Sequence, residues 1–171
     1  VNQNITVNIN NLNDNAPSIT SNATFTADEN QTAIGTVTAT DPEGDTITFS
    51  ISGSEININS STGVLTFASA PDYETKTSYT ATVSVSDGGN SVNQNITVNI
   101  NNLNDNAPSI TSNATFTADE NQTAIGTVTA TDIDGNALAF TISGSEININ
   151  SSSGVLTFAS SPDYETKTSY T

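Results

Sequence analysis

Val92-Asn93-Gln94-Asn95-Ile96-Thr97-Val98-Asn99-Ile100 carries a polar residue between each of Ile96, Val98 and Ile100. A period of two belongs to a strand that buries one face, so the stretch reads as β-structure. The same nine residues open the chain as Val1 to Ile9, which sets a repeat of 91 residues. Aligned at that period, residues 1–80 differ from 92–171 at nine positions, seven of them between 42 and 50. Such near-identity predicts duplicated modules of a longer array. The division that follows is residues 1–15, the last strand and linker of a preceding repeat; 16–106, a complete repeat with its linker; and 107–171, a partial second repeat. Both ends read as cut within a repeat.

Alternation continues through the repeat at Val37/Ala39, Ile47/Phe49/Ile51, Leu65/Phe67 and Tyr79/Ala81/Val83/Val85. Turn residues separate these runs at Pro17-Ser18, Pro42-Glu43-Gly44-Asp45, Ser52-Gly53, Ser61-Thr62-Gly63, Ala70-Pro71-Asp72 and Asp87-Gly88-Gly89-Asn90. No stretch places apolar residues at helical spacing. The expected fold is all-β, with tandem Greek-key, immunoglobulin-like β-sandwich repeats of about seven strands each.

Two lysines or arginines stand against 18 acids, a formal charge of −16, with no His, Cys, Met or Trp. The absence of His and Cys removes thiolate nucleophiles, Ser/His/Asp relays, disulfides and zinc-type metal sites. The acidic balance repels nucleic acid and anionic lipid, so neither is an expected partner. No apolar run has the length of a membrane span and no basic-then-apolar leader opens the chain, so a soluble, mature or excised segment without membrane insertion is expected.

The acids are not spread as on a solvated face. Asp14, Asp28-Glu29, Asp41, Glu43, Asp45, Glu55, Asp72, Glu74 and Asp87 stand almost wholly in turns at strand ends. Strand ends gather at the two poles of a sandwich, so stacked repeats bring these carboxylates together. Like charges ~4 Å apart repel by about 4 kcal/mol at an effective dielectric of ~20. A hard divalent cation reverses that cost. Carboxylates with Asn carbonyls, and no nitrogen or sulfur donor, select Ca²⁺ ahead of Mg²⁺ and Mn²⁺.

Asn11-Leu12-Asn13-Asp14-Asn15-Ala16-Pro17, repeated at 102–108, resembles the D-x-N-D-N-x-P linker of cadherin repeats. Asp28-Glu29-Asn30 resembles the family's glutamate motif, and Asp72-Tyr73-Glu74 its D-x-E motif. Val83-Ser84-Val85-Ser86-Asp87-Gly88-Gly89 resembles the D-x-G motif, and Asp132-Ile133-Asp134-Gly135-Asn136 a shortened D-x-D-x-G-x-N turn. The resemblance covers essentially the whole chain and implies Ca²⁺ between neighbouring repeats. For the junction inside this chain it implies Glu29, Asp72 and Glu74 from below, Asn102, Asn104, Asp105 and Asn106 from the linker, and Asp132, Asp134 and Asn136 from above. For the preceding junction it implies Asn11, Asn13, Asp14, Asn15, Asp41, Glu43, Asp45 and Asp87. Glu120, Asp163 and Glu165 serve a third junction on the same reading.

Two departures bear on this. Asn11 and Asn102 stand where the family linker begins with Asp, which removes a charge from each junction. Glu43 and Asp45 in the first repeat become Asp134 and Asn136 in the second, so the junctions need not bind equally. No catalytic residue is expected: Asp72 with Glu74 resembles an acid/base pair for glycoside cleavage only in composition, because no cleft-forming insertion accompanies it. Tyr73 and Tyr79 continue the alternating pattern as packing residues. Thr36/Thr38/Thr40 and Thr127/Thr129/Thr131 read as outward strand residues.

The expectation is a non-catalytic, calcium-rigidified extender of a large extracellular adhesin or matrix protein. Its composition and near-identical repeats are similar to the cadherin-like arrays of bacterial surface and biofilm adhesins. Its partners are adjacent repeats of the same chain, and its place is outside the cell, where Ca²⁺ reaches the ~10⁻⁴–10⁻³ M that extracellular modules require. The alternative is a subunit of a self-assembling, calcium-dependent extracellular fibre or surface layer, in which copies of the chain associate and lend strands to one another.

Overall fold

A computed structural model describes all 171 residues and divides into two compact units, Val1–Leu103 and Asn104–Thr171. Unit 1 holds β1 (Ser18–Ile19), β2 (Thr24–Asp28), β3 (Ala33–Thr36), β4 (Ala39–Thr40), β5 (Thr48–Ile51), β6 (Ile56–Ile58), β7 (Val64–Phe67), β8 (Ser78–Ser86) and β9 (Ser91–Asn101). Unit 2 holds β10 (Ser109–Ile110), β11 (Ala124–Thr127), β12 (Ala130–Thr131), β13 (Ile147–Ile149) and β14 (Val155–Phe158). The division falls inside the linker, a few residues before the boundary expected after Asn106. There is no helix, and so none long and apolar enough to cross a membrane.

In unit 1 a four-stranded sheet runs β2-β9-β8-β5 and a three-stranded sheet runs β3-β7-β6, with a short β1-β4 pair beside them. The nine strands exceed the expected seven because of the two-residue pieces β1 and β4. β8 and β9 form a long antiparallel hairpin, while β2 lies parallel to β9 with Phe25 opposite Val98. Alternate side chains of both sheets point into one core: Ala27, Val83, Val85, Ile96, Val98 and Ile100 from one, Ile56, Leu65 and Phe67 from the other. Fully burying one such aliphatic chain contributes about 1.5–3 kcal/mol. Tyr79 closes the rim against Phe67, with ring centroids 5.0 Å apart.

Gly63 shows how tightly the turn before β7 is fitted. Its φ of 70° lies in the left-handed region, and a Cβ there would stand 2.2 Å from the carbonyl oxygen of Val37. That carbonyl is held close because Val37 donates its N–H back to Gly63 at 2.9 Å. Only glycine meets both demands.

One expectation fails in an informative way. Residues 1–10 repeat the sequence of 92–101, yet they form no strand, and Ile5, Val7 and Ile9 are exposed. In β9 the same side chains are buried because β2 and β8 flank them. Alternation records the capacity to be half-buried; a ladder also needs partners. Unit 2 makes the same point. Its sheet is β11-β14-β13 with a β10-β12 pair, and residues 115–119, identical in sequence to β2, carry no strand pairing.

Candidate metal centre

Asp41 and Asp87 each organise their own turn. Asp41 accepts the N–H groups of Glu43 and Asp45 on one oxygen, each at 3.0 Å, which curls residues 41–45 around Gly44 at φ 80°. Asp87 accepts the N–H groups of Gly89 at 2.7 Å and Asn90 at 2.6 Å and so shapes the β8–β9 turn. These are the side-chain-to-backbone bonds that Asp makes in turns. The Asn90 N–H is the main reason the Asp87 carboxyl is held below its ordinary range. Desolvation opposes that, and the Gly89 N–H and the amides of Asn13 and Asn90 add to the lowering.

The linker is tied to both turns. Asn15 donates its side-chain amide to Glu43 Oε1 and, at 3.0 Å, to Asp14 Oδ1. Asn13 donates to the backbone carbonyl of Asp87 at 3.3 Å, and Asn90 donates to Asn13 Oδ1 at 3.2 Å and to the Asn15 carbonyl at 3.3 Å. Asn90 was not among the residues expected at the site. Its place in the Asp-Gly-Gly-Asn turn marked it only as a turn residue, and its role arises when the linker folds back beside it.

Each of these carboxylates spends one oxygen locally and leaves the other buried. Asp41 Oδ2, Glu43 Oε2 and Asp87 Oδ2 are all shielded from solvent and without a hydrogen-bond partner. Carboxylate oxygens of Asp41, Glu43 and Asp45 lie within 4.8 Å of one another. Buried unsatisfied acceptors are rare and call for a ligand. No lysine answers them: Lys76 pairs with Glu55 at 2.5 Å and lies 4.2 Å above the Tyr79 ring, and Lys167 pairs with Glu146 at 2.6 Å. An all-oxygen donor set with orphaned carboxylate oxygens fits a hard divalent cation. Asn11 is exposed, as are Asn102 and Asn104.

At the other pole of unit 1, Glu29 is only 2% exposed. Its two oxygens accept the N–H groups of Leu103 and Tyr73, each at 2.7 Å, and so fasten the chain leaving β9 to the Asp72-Tyr73-Glu74 turn. Asn30 takes a φ of 63°, which Asn tolerates, and donates its N–H to the Pro71 carbonyl at 2.9 Å. Glu29, Asp72 and Glu74 bring carboxylate oxygens within 4.8 Å. Asp72 meanwhile accepts the Thr75 hydroxyl at 2.9 Å.

Unit 2 repeats both arrangements with changes. Asp132 accepts the Asn136 N–H at 3.3 Å. Asn106 donates its amide to Asp134 at 2.9 Å and to Asp105 at 2.7 Å, and its N–H to Asp134 at 2.8 Å. Glu120, Asp163 and Glu165 again converge within 4.8 Å, and Glu120 accepts the Tyr164 N–H at 3.0 Å. Here the glutamate is exposed. Asp163 is held below its ordinary range first by the Thr166 hydroxyl, with desolvation opposing.

Residues 21–101 match the family described as Cadherin domain. No curated protein matches the chain. Among solved structures, human protocadherin-24 EC1-2 is 24% identical with a TM-score of 0.75, over 88% of this chain and 80% of that one. Mouse cadherin-23 EC22-24 is 25% identical at 0.74, over 90% of this chain and 57% of that one. The human desmocollin-1 ectodomain is 26% identical at 0.72, over 90% of this chain and 35% of that one. The chain thus spans less than two thirds of the latter two. Its fold is the all-β cadherin-like fold, and residues 21–101 match the cadherin domain family.

Proposed function

We propose that the chain is a non-catalytic, cadherin-like extracellular module whose inter-repeat junctions bind Ca²⁺ and are stiffened by it, serving as an extender in a large repetitive adhesin or matrix protein. The observation that carries this reading is the set of three buried, partnerless carboxylate oxygens on Asp41, Glu43 and Asp87, gathered around a linker that bonds both turns. A bound Ca²⁺ supplies the positive charge that the chain's own side chains lack there. Asp41 and Asp87 hold their turns in shape, and Asn13 and Asn15 hold the linker against them.

At the junction within the chain, the donors are Glu29, Asp72 and Glu74 with Asn102, Asn104, Asp105, Asn106, Asp132, Asp134 and Asn136. With Ca²⁺ absent the carboxylates repel and the linker flexes; with it present, successive repeats become a rod. Adjacent repeats are then the natural partners, and the millimolar Ca²⁺ that such modules require places the chain outside the cell or at its surface. Calorimetry of the wild type and Asp105→Ala tests this. The wild type takes up Ca²⁺, and Asp105→Ala binds more weakly while both units stay folded by circular dichroism. Equal affinity in the two proteins contradicts the assignment.

A further inference from the structure

Unit 1 does not spread its charge evenly. Its acids gather at the two poles, and Glu55 pairs with Lys76 beside β6 of the three-stranded sheet. The outward face of the four-stranded sheet is different. Every residue that points outward from β5, β8 and β9 is Ser, Thr or Asn. The one charge on the face is Asp28 at a corner of β2, and Asn101 donates to it at 2.8 Å.

Strand pairing sets these side chains in rows. Thr24, Thr97 and Thr80 stand side by side across β2, β9 and β8, and Thr26, Asn99 and Ser78 form the next row. Their neighbours Phe25, Val98 and Tyr79 pack inward, so the pleat holds the rows facing out. Further along the sheet, Thr82 donates its hydroxyl to Asn95 Oδ1 at 2.8 Å.

Such a face selects its occupant by exclusion and by match. A cationic partner is drawn to the poles, an apolar one finds nothing here to bury against, and a sugar finds no aromatic ring to stack on. A second copy of the same face does match. Hydroxyls and primary amides each donate and accept, so a grid of them is complementary to itself under a two-fold rotation. A second copy is also a body of the same formal charge, −16, and the neutral face is where two such bodies meet at least cost. We propose that two copies of the chain pair laterally through the outward faces of their β2-β9-β8-β5 sheets. Strands ~4.8 Å apart, with about 3.4 Å per residue, give the face roughly 500 Å² per copy. The ~1,000 Å² covered in the pair belongs to the weak, transient class of interfaces. Where repeats follow one another in a rod, one such face per repeat multiplies a weak contact.

The contact holds no ion pair, while the bodies behind it repel. Salt at ~0.1 M screens charges more than about 10 Å apart, so pairing strengthens as salt rises, the reverse of a salt-bridged interface. It uses none of the pole carboxylates and is tested in chelator.

Sedimentation velocity of the full chain in EDTA, over a hundredfold range of concentration at low and at high salt, reads the association. The wild type is expected to shift to larger species as concentration rises, and further at high salt. Thr80→Asp/Asn99→Asp places acids at two exposed positions of the face and is expected to stay monomeric with unchanged circular dichroism. Asn93→Asp/Ser50→Asp, a second exposed pair on the same face, repeats the test independently. The uncharged Thr80→Asn, and Asn57→Asp on the exposed side of the other sheet, associate as the wild type does. A wild type that is monomeric throughout, association that falls as salt rises, or a folded acidic pair that associates equally each overturns the proposal. So does a monomeric chain retarded on a dextran gel, which gives the face to sugar.

Discussion

Asn13 and Asp87 stand 74 residues apart in sequence, yet the side-chain amide of Asn13 donates to the Asp87 carbonyl at 3.3 Å. The linker is thereby fastened to the turn between the two longest strands, β8 and β9. The Asp87 carboxylate beside that bond shapes the turn with one oxygen and leaves the other buried without a partner.

Asp87→Asn and Glu43→Gln keep the size and an acceptor oxygen while removing charge. Each is expected to weaken Ca²⁺ binding by roughly tenfold or more, because ligand charge tunes such sites. For the wild type, 10 mM Ca²⁺ against a dissociation constant of ~1 mM adds about 1.4 kcal/mol of stability. Calorimetric melting with and without Ca²⁺ reads both effects, and a variant that keeps the wild-type increment removes its residue from the site.

The core predicts an asymmetry between identical residues. Leu65 is 0% exposed between the two sheets of unit 1, whereas its copy Leu156, 5% exposed, also lines a groove of unit 2. Leu65→Ala is expected to cost about 2–5 kcal/mol. Leu156→Ala is expected to cost less, since the groove it lines already leaves part of its surface without packing partners. Urea unfolding of the two variants compares them directly, and equal losses contradict this reading of unit 2.

Gly63→Ala places a methyl against the Val37 carbonyl in a backbone region that alanine avoids. A loss of about 1–3 kcal/mol follows from the conformational strain alone, with the clash added to it. A melting temperature within a degree of the wild type excludes the described turn.

Asp87 and Asp163 both have folded values depressed below the ordinary carboxylate range. A depressed acid contributes stability that is fully present above its unfolded value and is lost as pH falls through the folded one. In EDTA the chain is therefore expected to lose stability as pH drops from the ordinary carboxylate range through these lower values. Carboxyl NMR titration should find both midpoints below the ordinary Asp range; normal midpoints refute the local geometry.

The strands were legible wherever alternation and a partner coincided. Ile96, Val98 and Ile100 announced a buried face, and β9 buries it between β2 and β8. Ile5, Val7 and Ile9 announced the same face and lie exposed, since period-two patterning is a property of one segment and pairing a property of two. The acidic turns were legible because Asp-Gly and Asp-Pro-Glu-Gly stretches have local geometry, so Asp87 and Asp41 organise their own loops. What sequence hid was non-local. Asn90 reaches Asn13 and Asn15 only after a 77-residue loop closes. Glu29 and Glu120 share a motif, but only Glu29 is sealed, by the Leu103 N–H that the end of β9 brings to it.

The central claim is that shared cations set the stiffness of the string. Small-angle scattering of the 171-residue chain, kept dilute and measured first in EDTA and then in millimolar Ca²⁺, tests it most directly. A distance distribution that narrows and reaches a fixed maximum dimension with Ca²⁺, a response lost in Asp105→Ala, is the predicted result. Superimposable curves in the two conditions contradict it.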